Sequence, residues 1–292
     1  MKRNVMRAAW LVTALFLAAP VFALDIEKLK TGGPYVPTPQ IVVDQMLKLA
    51  AVGEKDYVID LGSGDGVIVL TAARQYKAAG MGIDIDPELV RQSNASAQKY
   101  GIADRVRFVQ QDVFKADLGQ ATVLALYLLP AMMIDLRSKL FNELKPGVRV
   151  VSHDYHLGQW MPDDTIGFDV AEKEAITGVP RATLYKWIVP AKVAGSWQIK
   201  IAGGETYELA LKQRFQAITE ATARAGIRPL RPQAVSLRGD EFSFLLPDGR
   251  IVARFNGRVS GESMEGTVEL PDGKAPVKWT ATRIAGAAVV TE

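Results

Sequence analysis

Three glycines at alternate positions follow an apolar run in the stretch VIDLGSGDG, residues 58–66. Because glycine has no Cβ atom, the backbone at Gly62, Gly64 and Gly66 can approach a ligand where a side chain would block it. A helix pattern follows, and the free N–H groups at a helix N-terminus are suited to ligand binding. We therefore predict a ligand-binding loop. Loops of this type bind two classes of ligand, dinucleotides with a pyrophosphate and ligands with positively charged groups.

The position of the third glycine and the charges of the loop separate these two classes. The dinucleotide fingerprint G-x-G-x-x-G requires a glycine where this chain has Val67, and no G-K-[ST] follows as in a P-loop. Asp60 and Asp65 place negative charge where a pyrophosphate would be repelled, whereas an ammonium and a sulfonium would be attracted. A nicotinamide-dependent oxidoreductase is therefore a distant third hypothesis.

Two further aspartates end apolar runs that are predicted to be strands. Asp84 ends one such run in GIDIDPE, and Asp112 follows the next in VRFVQQD. Because ligands of open α/β sheets bind outside the carboxyl ends of the strands, these carboxylates and Asp60 should face one crevice. Asp84 can accept hydrogen bonds from ribose hydroxyls and Asp112 from the exocyclic amine of adenine. The ligand that this set suggests is S-adenosylmethionine.

The elements that carry these residues alternate between short apolar runs and longer amphipathic segments from residue 38 to 152, a pattern typical of a parallel sheet covered by helices. Thr38 with Pro39, and Asp86 with Pro87, predict N-caps followed by first-turn prolines. The candidate strands span residues 57–61, 80–84, 105–110, 122–128 and 148–152, with later strands near 168–176 and 182–189. We predict a doubly wound, Rossmann-like α/β domain over residues 24–193.

The composition and the hydrophobic pattern of the chain change after this domain. Residues 196–283 are rich in glycine and in alternating apolar residues, and the turn motif LPDG occurs twice. We predict a small antiparallel all-β domain, a barrel or a sandwich, over residues 194–285, with a tail at 286–292. The aromatic residues predicted to form its core are Trp197, Phe215, Phe242, Phe244, Phe255 and Trp279.

The first 23 residues have the pattern of a secretory signal peptide. Three basic residues accompany an apolar run at 8–19, and the cleavage motif VFA stands at 21–23. This leader predicts a periplasmic or secreted protein beginning near Leu24, with an uncleaved membrane anchor as the alternative, and no later segment is long and apolar enough to span a membrane. The net charge of +3 equals the basic residues of the leader, so the mature chain is formally neutral. Its charge gives no reason to expect nucleic acid as a partner.

The absence of cysteine excludes disulfides, thiol catalysis and thiolate metal sites. His153, Asp154 and His156 in SHDYHLGQW invite a metal interpretation, but two histidines and one acid on a β-like stretch are an incomplete ligand set. We therefore predict no metal. This segment is expected to leave the fifth strand beside the mouth of the substrate site.

The motifs DLGSGDG, GIDIDPE and FVQQDVF together resemble the successive cofactor motifs of class I S-adenosylmethionine-dependent methyltransferases. The segments PYVPTPQIVVDQML and LYLLP resemble a smaller family of protein-lysine methyltransferases, which includes the mitochondrial enzyme acting on the c subunit of ATP synthase and its prokaryotic relatives. The resemblance covers residues 34–155. It implies methyl transfer from S-adenosylmethionine to a protein or small-molecule acceptor, and the smaller family points to a protein lysine.

The resemblance also implies roles for individual residues. The glycines would line the methionine portion of the cofactor, with Asp60 near its ammonium group, and the segment around Pro37 would close over it. The predicted cofactor-binding residues are Tyr35, Thr38, Asp60, Gly62, Gly64, Gly66, Asp84 and Asp112. Tyr127, Pro130 and His153 are predicted on the substrate side, and Tyr127 is assigned a shaping role around the transferred methyl group.

Two functions from different classes follow from these observations. The first is an exported methyltransferase; the N-P-P-Y type of motif used on nucleobases and glutamine is missing after the fourth strand, so those substrates are not expected. The second is a non-catalytic exported binding or scaffold protein, whose degenerate methyltransferase domain binds a nucleoside-like ligand. The leader and the absence of an obvious catalytic base motivate the second hypothesis.

Overall fold

The computed structural model describes residues 33–249, 251–271 and 273–291. The predicted signal peptide, residues 1–23, lies outside these ranges. Within them, no helix is both long enough and apolar enough to cross a membrane.

A seven-stranded sheet forms the first part of the chain. Its strands are β1 Tyr57–Leu61, β2 Ala79–Asp84, β3 Val106–Gln110, β4 Val123–Leu126, β5 Arg149–His153, β6 Asp164–Asp169 and β7 Arg181–Ile188. Their order is β3-β2-β1-β4-β5-β7-β6, with β1 to β5 parallel and β7 antiparallel to both β5 and β6. The order reverses between β1 and β4, which is where open α/β sheets bind ligands. The predicted doubly wound α/β fold is confirmed.

In the part of the chain that the structure describes, five helices accompany this sheet, together with a 3-10 turn at Val113–Lys115. The helices are α1 Gln40–Leu49, α2 Val67–Tyr76, α3 Pro87–Lys99, α4 Pro130–Glu143 and α5 Ala171–Thr177. Residues of α4 pack in the hydrophobic core on one side of the sheet, and residues of α1 and α2 pack in a second core cluster. Strands β1, β4 and β5 are buried along almost their whole length, as expected for parallel strands covered on both faces.

The predicted helix caps have different outcomes. Asp86 caps α3 as expected, because its carboxylate accepts hydrogen bonds from the backbone N–H groups of Glu88, at 2.8 Å, and Leu89, at 3.3 Å. The prediction that Thr38 caps α1 is wrong. Pro39 itself occupies the cap position with extended backbone, and the cap has no side-chain hydrogen bond.

The strand expected near residues 168–176 is also a wrong prediction. The strand β6 ends at Asp169, and the next residues form α5. Two acidic side chains, Glu172 and Glu174, lie in the first turn of α5, where they interact favourably with the helix dipole. Gly178 ends the helix in a left-handed conformation, with φ of 76°. These helix signals favour α5 over the strand expected here.

A nine-stranded antiparallel sheet follows the α/β domain. Its strands are β8 Gly195–Ile201, β9 Thr206–Arg214, β10 Ala217–Ala225, β11 Arg228–Leu230, β12 Gln233–Arg238, β13 Glu241–Asp248, β14 Ile251–Ser260, β15 Ser263–Glu269 and β16 Val277–Gly286. Their order is β11-β10-β9-β8-β16-β15-β14-β13-β12. Although they are near opposite ends of this order, β10 contacts β12 and β11 contacts β13. The sheet is therefore curled into a half-barrel, which confirms an antiparallel all-β domain but not a closed barrel.

All six aromatic residues predicted for the core of this second domain are buried, but they divide between two cores. Five of them pack inside the half-barrel: Trp197, Phe242, Phe244, Phe255 and Trp279. Phe215 instead packs in the core of the α/β domain. The domain boundary at residues 193 and 194 stays a prediction; the connecting segment between β7 and β8 spans residues 189–194.

A charged network lies at the edge of the first sheet opposite the carboxyl ends of its parallel strands. The Asp56 carboxylate accepts hydrogen bonds from the Thr122 hydroxyl, at 2.7 Å, and from the Arg149 guanidinium. The same guanidinium donates to the carbonyl oxygens of Ala50 and Ala51, both at 2.8 Å. This network joins the end of α1 to the starts of β1, β4 and β5.

Replacing Arg149 by methionine is expected to lower the free energy of unfolding by about 3 kcal/mol, because a largely buried carboxylate loses its cationic partner and two carbonyls lose the guanidinium that donates to them. Equilibrium urea unfolding measures this change. The matched control is Arg254→Met, which removes only an exposed ion pair with Glu269 and should cost less than about 1 kcal/mol. Equal losses in the two variants would contradict the assignment of Arg149 to a structural network.

Candidate active site

A cavity of about 400 Å³ opens at the carboxyl ends of the parallel strands, at the reversal point between β1 and β4. Eight predicted site residues line it: Tyr35, Thr38, Asp60, Gly62, Gly64, Asp84, Asp112 and Tyr127. Four others, Pro37, Gly66, Pro130 and His153, are not part of its lining. The structure therefore brings most of the predicted residues together at one cavity, and their individual roles in cofactor binding stay predictions.

The glycine loop lies between β1 and α2, and all three glycines have positive φ, of 78°, 52° and 80° in chain order. A Cβ atom on Gly64 would lie 2.5 Å from the Tyr35 ring, so the absence of a side chain lets Tyr35 cover the loop. Gly66 serves a different purpose, because a Cβ atom there would lie 2.6 Å from Phe108 and it stands at the cap position of α2. Gly66 is thus required by packing and does not line the cavity.

Asp60 is almost fully buried, with 2% of its surface exposed, and faces the cavity. Burial, followed by the charges of Asp84 and Asp65, raises the pKa of the Asp60 carboxyl to about 8. Within the described part of the chain, no group donates a hydrogen bond to this carboxyl. A cationic ligand in the cavity would supply the missing partner and favour the ionised form.

Asp84 joins the loops that follow β1 and β2. One carboxylate oxygen accepts the backbone N–H of Gly64 at 2.8 Å, and the other accepts that of Asp86 at 2.9 Å. Asp112 similarly accepts the N–H of Phe114 at 3.0 Å and begins the 3-10 turn after β3. Because a carboxylate oxygen has two lone pairs, both aspartates keep capacity to accept hydrogen bonds from a ligand in the cavity.

Tyr35 covers the loop from the segment that precedes α1. Burial and the neighbouring carboxylates of Asp65 and Asp84 raise the pKa of its phenol, and Asp65 also accepts a hydrogen bond from it. The phenol is therefore protonated at neutral pH. Thr38 lines the same side of the cavity, so the predicted covering segment reaches the cofactor side even though Thr38 caps no helix.

Aromatic side chains form the opposite wall, where β4 and β5 end. The Tyr127 ring lies 4.2 Å from the His153 ring and 6.3 Å from the Tyr155 ring, measured between centroids. Burial, then Asp154 and Tyr155, raises the pKa of Tyr127 to about 12, so its phenol is protonated. His153 lies behind Tyr127, only 1% exposed, and burial lowers its pKa to about 4. It is therefore a neutral ring that supports the wall.

Sequence reasoning missed several residues of this wall. Tyr155, Leu128, Leu129 and Met132 all line the cavity. For Tyr155 the sequence does carry a signal, because it lies in the segment SHDYHLGQW, two residues after the predicted His153. Among the described residues, no group of three or more histidine, cysteine or acidic side chains is placed to hold a metal ion.

The residues that line the cavity match the chemical groups of one cofactor, group by group. A buried carboxylate without a donor suits an ammonium group, and the glycine loop leaves room for an extended chain beside it. Asp84 and Asp112 keep acceptor capacity for ribose hydroxyls and for the amine of adenine. This fold and this site define a class I methyltransferase whose cofactor is S-adenosylmethionine.

Comparison with known proteins narrows this class. The family model described as ANTKMT methyltransferase domain matches residues 60–164. A protein-lysine N-methyltransferase of Saccharolobus islandicus is 42% identical over 134 residues, which are 46% of this chain and 83% of the relative. The lysine N-methyltransferase of the ATP synthase c subunit from Xenopus laevis is 32% identical over 157 residues, 54% of this chain and 68% of the relative. The chain belongs to this family of methyltransferases.

A solved structure is also similar to part of this chain. It is an RNA methyltransferase from Salinibacter ruber in complex with S-adenosyl-L-homocysteine, 48% identical, with a TM-score of 0.49. The match covers 54% of this chain and 96% of that one. The residues matched by the family model end at Asp164, so the half-barrel lies outside that match.

The protonation state of Asp60 makes the affinity of the cavity for an ammonium-bearing ligand dependent on pH. Below a pH of about 8 the free protein holds Asp60 protonated, and a ligand bearing an ammonium group favours the ionised form. Binding of S-adenosyl-L-homocysteine at pH 7 should therefore release about one proton, and the affinity should rise as the pH rises toward 8. Calorimetry in two buffers of different ionisation enthalpy counts this proton. Asp60→Asn should bind more weakly without proton release; an unchanged release in that variant would assign the proton to another group.

Proposed function

We propose that this chain is a protein-lysine N-methyltransferase. The observation that carries the proposal is the aromatic wall of Tyr127 and Tyr155, which faces the cofactor side across the same cavity. Ring faces attract alkylammonium groups and tolerate added methyl groups. Such a wall can hold a lysine side chain, which is a slender alkyl chain that ends in an amine. The two relatives named above by sequence, from Saccharolobus islandicus and Xenopus laevis, are lysine methyltransferases, which supports the same acceptor. The similar solved structure from Salinibacter ruber is named an RNA methyltransferase, so RNA is the competing acceptor.

Methyl transfer needs a neutral amine as the nucleophile. When bound, S-adenosylmethionine supplies an electrophilic methyl group, so the remaining task of the protein is to orient and desolvate the acceptor. A lysine amine has an unperturbed pKa of about 10.4, and an apolar environment lowers that pKa. Leu128, Leu129 and Met132 provide apolar surface beside the tyrosines. Positioning and desolvation account for the absence of a dedicated base, which had motivated the scaffold hypothesis.

Nothing in the site favours the non-catalytic scaffold. The glycine loop has an open path to the cavity, Asp60 is buried against it, and the acceptor wall lies beside the cofactor side. A degenerate domain would be expected to lose one of these features, for example through a bulky residue in the loop. The enzyme is therefore the function that the geometry supports.

The lysine proposal predicts methylated lysine after incubation of the purified chain with methyl-labelled S-adenosylmethionine and either poly-L-lysine or a periplasmic extract. Acid hydrolysis and amino-acid analysis would detect N-methylated lysine. Asp84→Ala should lower the rate at least about tenfold, because it removes the acceptor of the Gly64 N–H and a predicted ribose contact. Asp117→Ala is the control, since its carboxylate only accepts the N–H of Gly119. Absence of N-methylated lysine with both acceptors would overturn the proposal.

We further propose that the protein acts in the periplasm or outside the cell. The support is the basic, apolar and small-residue pattern of residues 1–23. N-terminal sequencing of protein recovered from a periplasmic fraction should show a chain that starts near Leu24. Recovery of the full chain in the membrane fraction would favour the uncleaved anchor, and recovery in the cytosol would contradict export.

A further inference from the structure

The tip of the β9–β10 hairpin leaves the half-barrel and enters the α/β domain. Arg214 of β9 pairs with Ala217 of β10, so Phe215 and Gln216 form the turn. The Phe215 ring is only 2% exposed and belongs to the same hydrophobic cluster as Leu61, Leu126 and other residues of the first sheet. A residue of the half-barrel is thus part of the core beneath the active site.

The aromatic neighbours of Phe215 come from two parts of the α/β domain. Its ring is stacked on Trp160, with 5.5 Å between centroids and 4° between planes. It meets Phe141 of α4 edge-on, at 5.6 Å and 85°. The Arg137 guanidinium carbon lies 5.7 Å from its centroid. Phe215 therefore fills a hole between α4 and the segment that carries Trp160.

The residues beside Phe215 hold the same segment by hydrogen bonds. Arg214 donates to the side-chain oxygen of Gln159, and the Gln216 amide donates to the carbonyl oxygen of Met161 at 2.6 Å. The hairpin tip thus contacts the residues immediately before and after Trp160. We call residues 154–163, between β5 and β6, the wall loop.

The conformation of the tip is fixed from inside the half-barrel. Phe215 has φ of 49°, which is unfavourable for a residue with a large side chain and persists only where the surroundings enforce it. Gln213, 1% exposed, supplies that enforcement. Its amide donates to the carbonyls of Phe215 and Ala191, at 2.7 and 2.8 Å, and its oxygen accepts the N–H groups of Val193 and Ala194. The tip is a rigid extension of the half-barrel.

The wall loop carries one residue of the acceptor wall. Tyr155 lines the cavity, five residues before Trp160, and the loop between them is anchored by Leu157, which is fully buried. The Tyr155 carbonyl accepts the Ser152 hydroxyl at 2.6 Å, which ties the start of the loop to β5. The loop is short and held at both ends. A displacement of the Trp160 backbone is therefore expected to displace Tyr155 as well.

We propose that Phe215 is a positioning residue for the acceptor side of the methyltransferase site, through which the half-barrel holds the wall loop and thereby Tyr155. The half-barrel then sets how the acceptor is received, while the loops of the cofactor side follow β1, β2 and β3 and are not in contact with the wall-loop residues that Phe215 and Gln216 hold. The part of this inference that concerns lysine rests on the proposed function. The part that concerns the wall loop does not.

The test compares Phe215→Leu with Phe244→Leu, which removes an aromatic ring from the core of the half-barrel without touching the wall loop. Hydrogen exchange read by mass spectrometry should be faster in residues 154–161 of Phe215→Leu and unchanged there in Phe244→Leu. Calorimetry should show the same affinity for S-adenosyl-L-homocysteine in both variants. With poly-L-lysine as the acceptor, Phe215→Leu should raise KM roughly fivefold with kcat almost unchanged.

A second variant keeps the test decisive if Phe215→Leu does not fold. Gln216→Ala removes only the hydrogen bond to Met161 and should produce the same pattern with a smaller change. Unaltered exchange of the wall loop in both variants would overturn the inference, as would equal effects of Phe244→Leu. The exchange and calorimetry need no acceptor. Failure of lysine methylation with altered loop exchange would therefore contradict the proposed function and leave the positioning role supported.

Discussion

The hydrogen bond from the Gly64 N–H to the Asp84 carboxylate joins the loops after two adjacent parallel strands. It holds the glycine loop in its left-handed turn, and it fixes a carboxylate at the edge where the strand order reverses. The carboxylate of Asp84 is consequently close enough to help raise the pKa of Asp60. The acidity of the cavity, the room beside the loop and the cover by Tyr35 all depend on this geometry.

The cofactor side was predictable because its information is local. Strand periodicity, glycine spacing and an acid at each strand end placed β1 without error and the other four parallel strands within two residues. The cap at Asp86 was predictable because it involves only the Asp86 side chain and the nearby N–H groups of Glu88 and Leu89. Thr38 failed because the proline after it took the cap position, and α5 replaced a strand because Gly178 and two first-turn glutamates favoured a helix.

The acceptor side depends on contacts between residues distant in the chain, and it was largely missed. Tyr155 becomes a wall residue only because β5 and β4 are neighbours, which brings its ring near Tyr127. Phe215 was expected in the β core, since its apolar character is the same wherever it is buried. Its actual place depends on a turn with positive φ and on the four hydrogen bonds of Gln213. None of these constraints is visible in the hydrophobic periodicity of the sequence.

The position of Phe215 also determines how separable the two domains are. Phe141 and Trp160 form an aromatic socket whose occupant comes from more than fifty residues further along the chain. A fragment ending at β7 would present that socket to water, and apolar surface of this kind promotes self-association. The region matched by the family model therefore carries, in this chain, an apolar surface that the second domain covers.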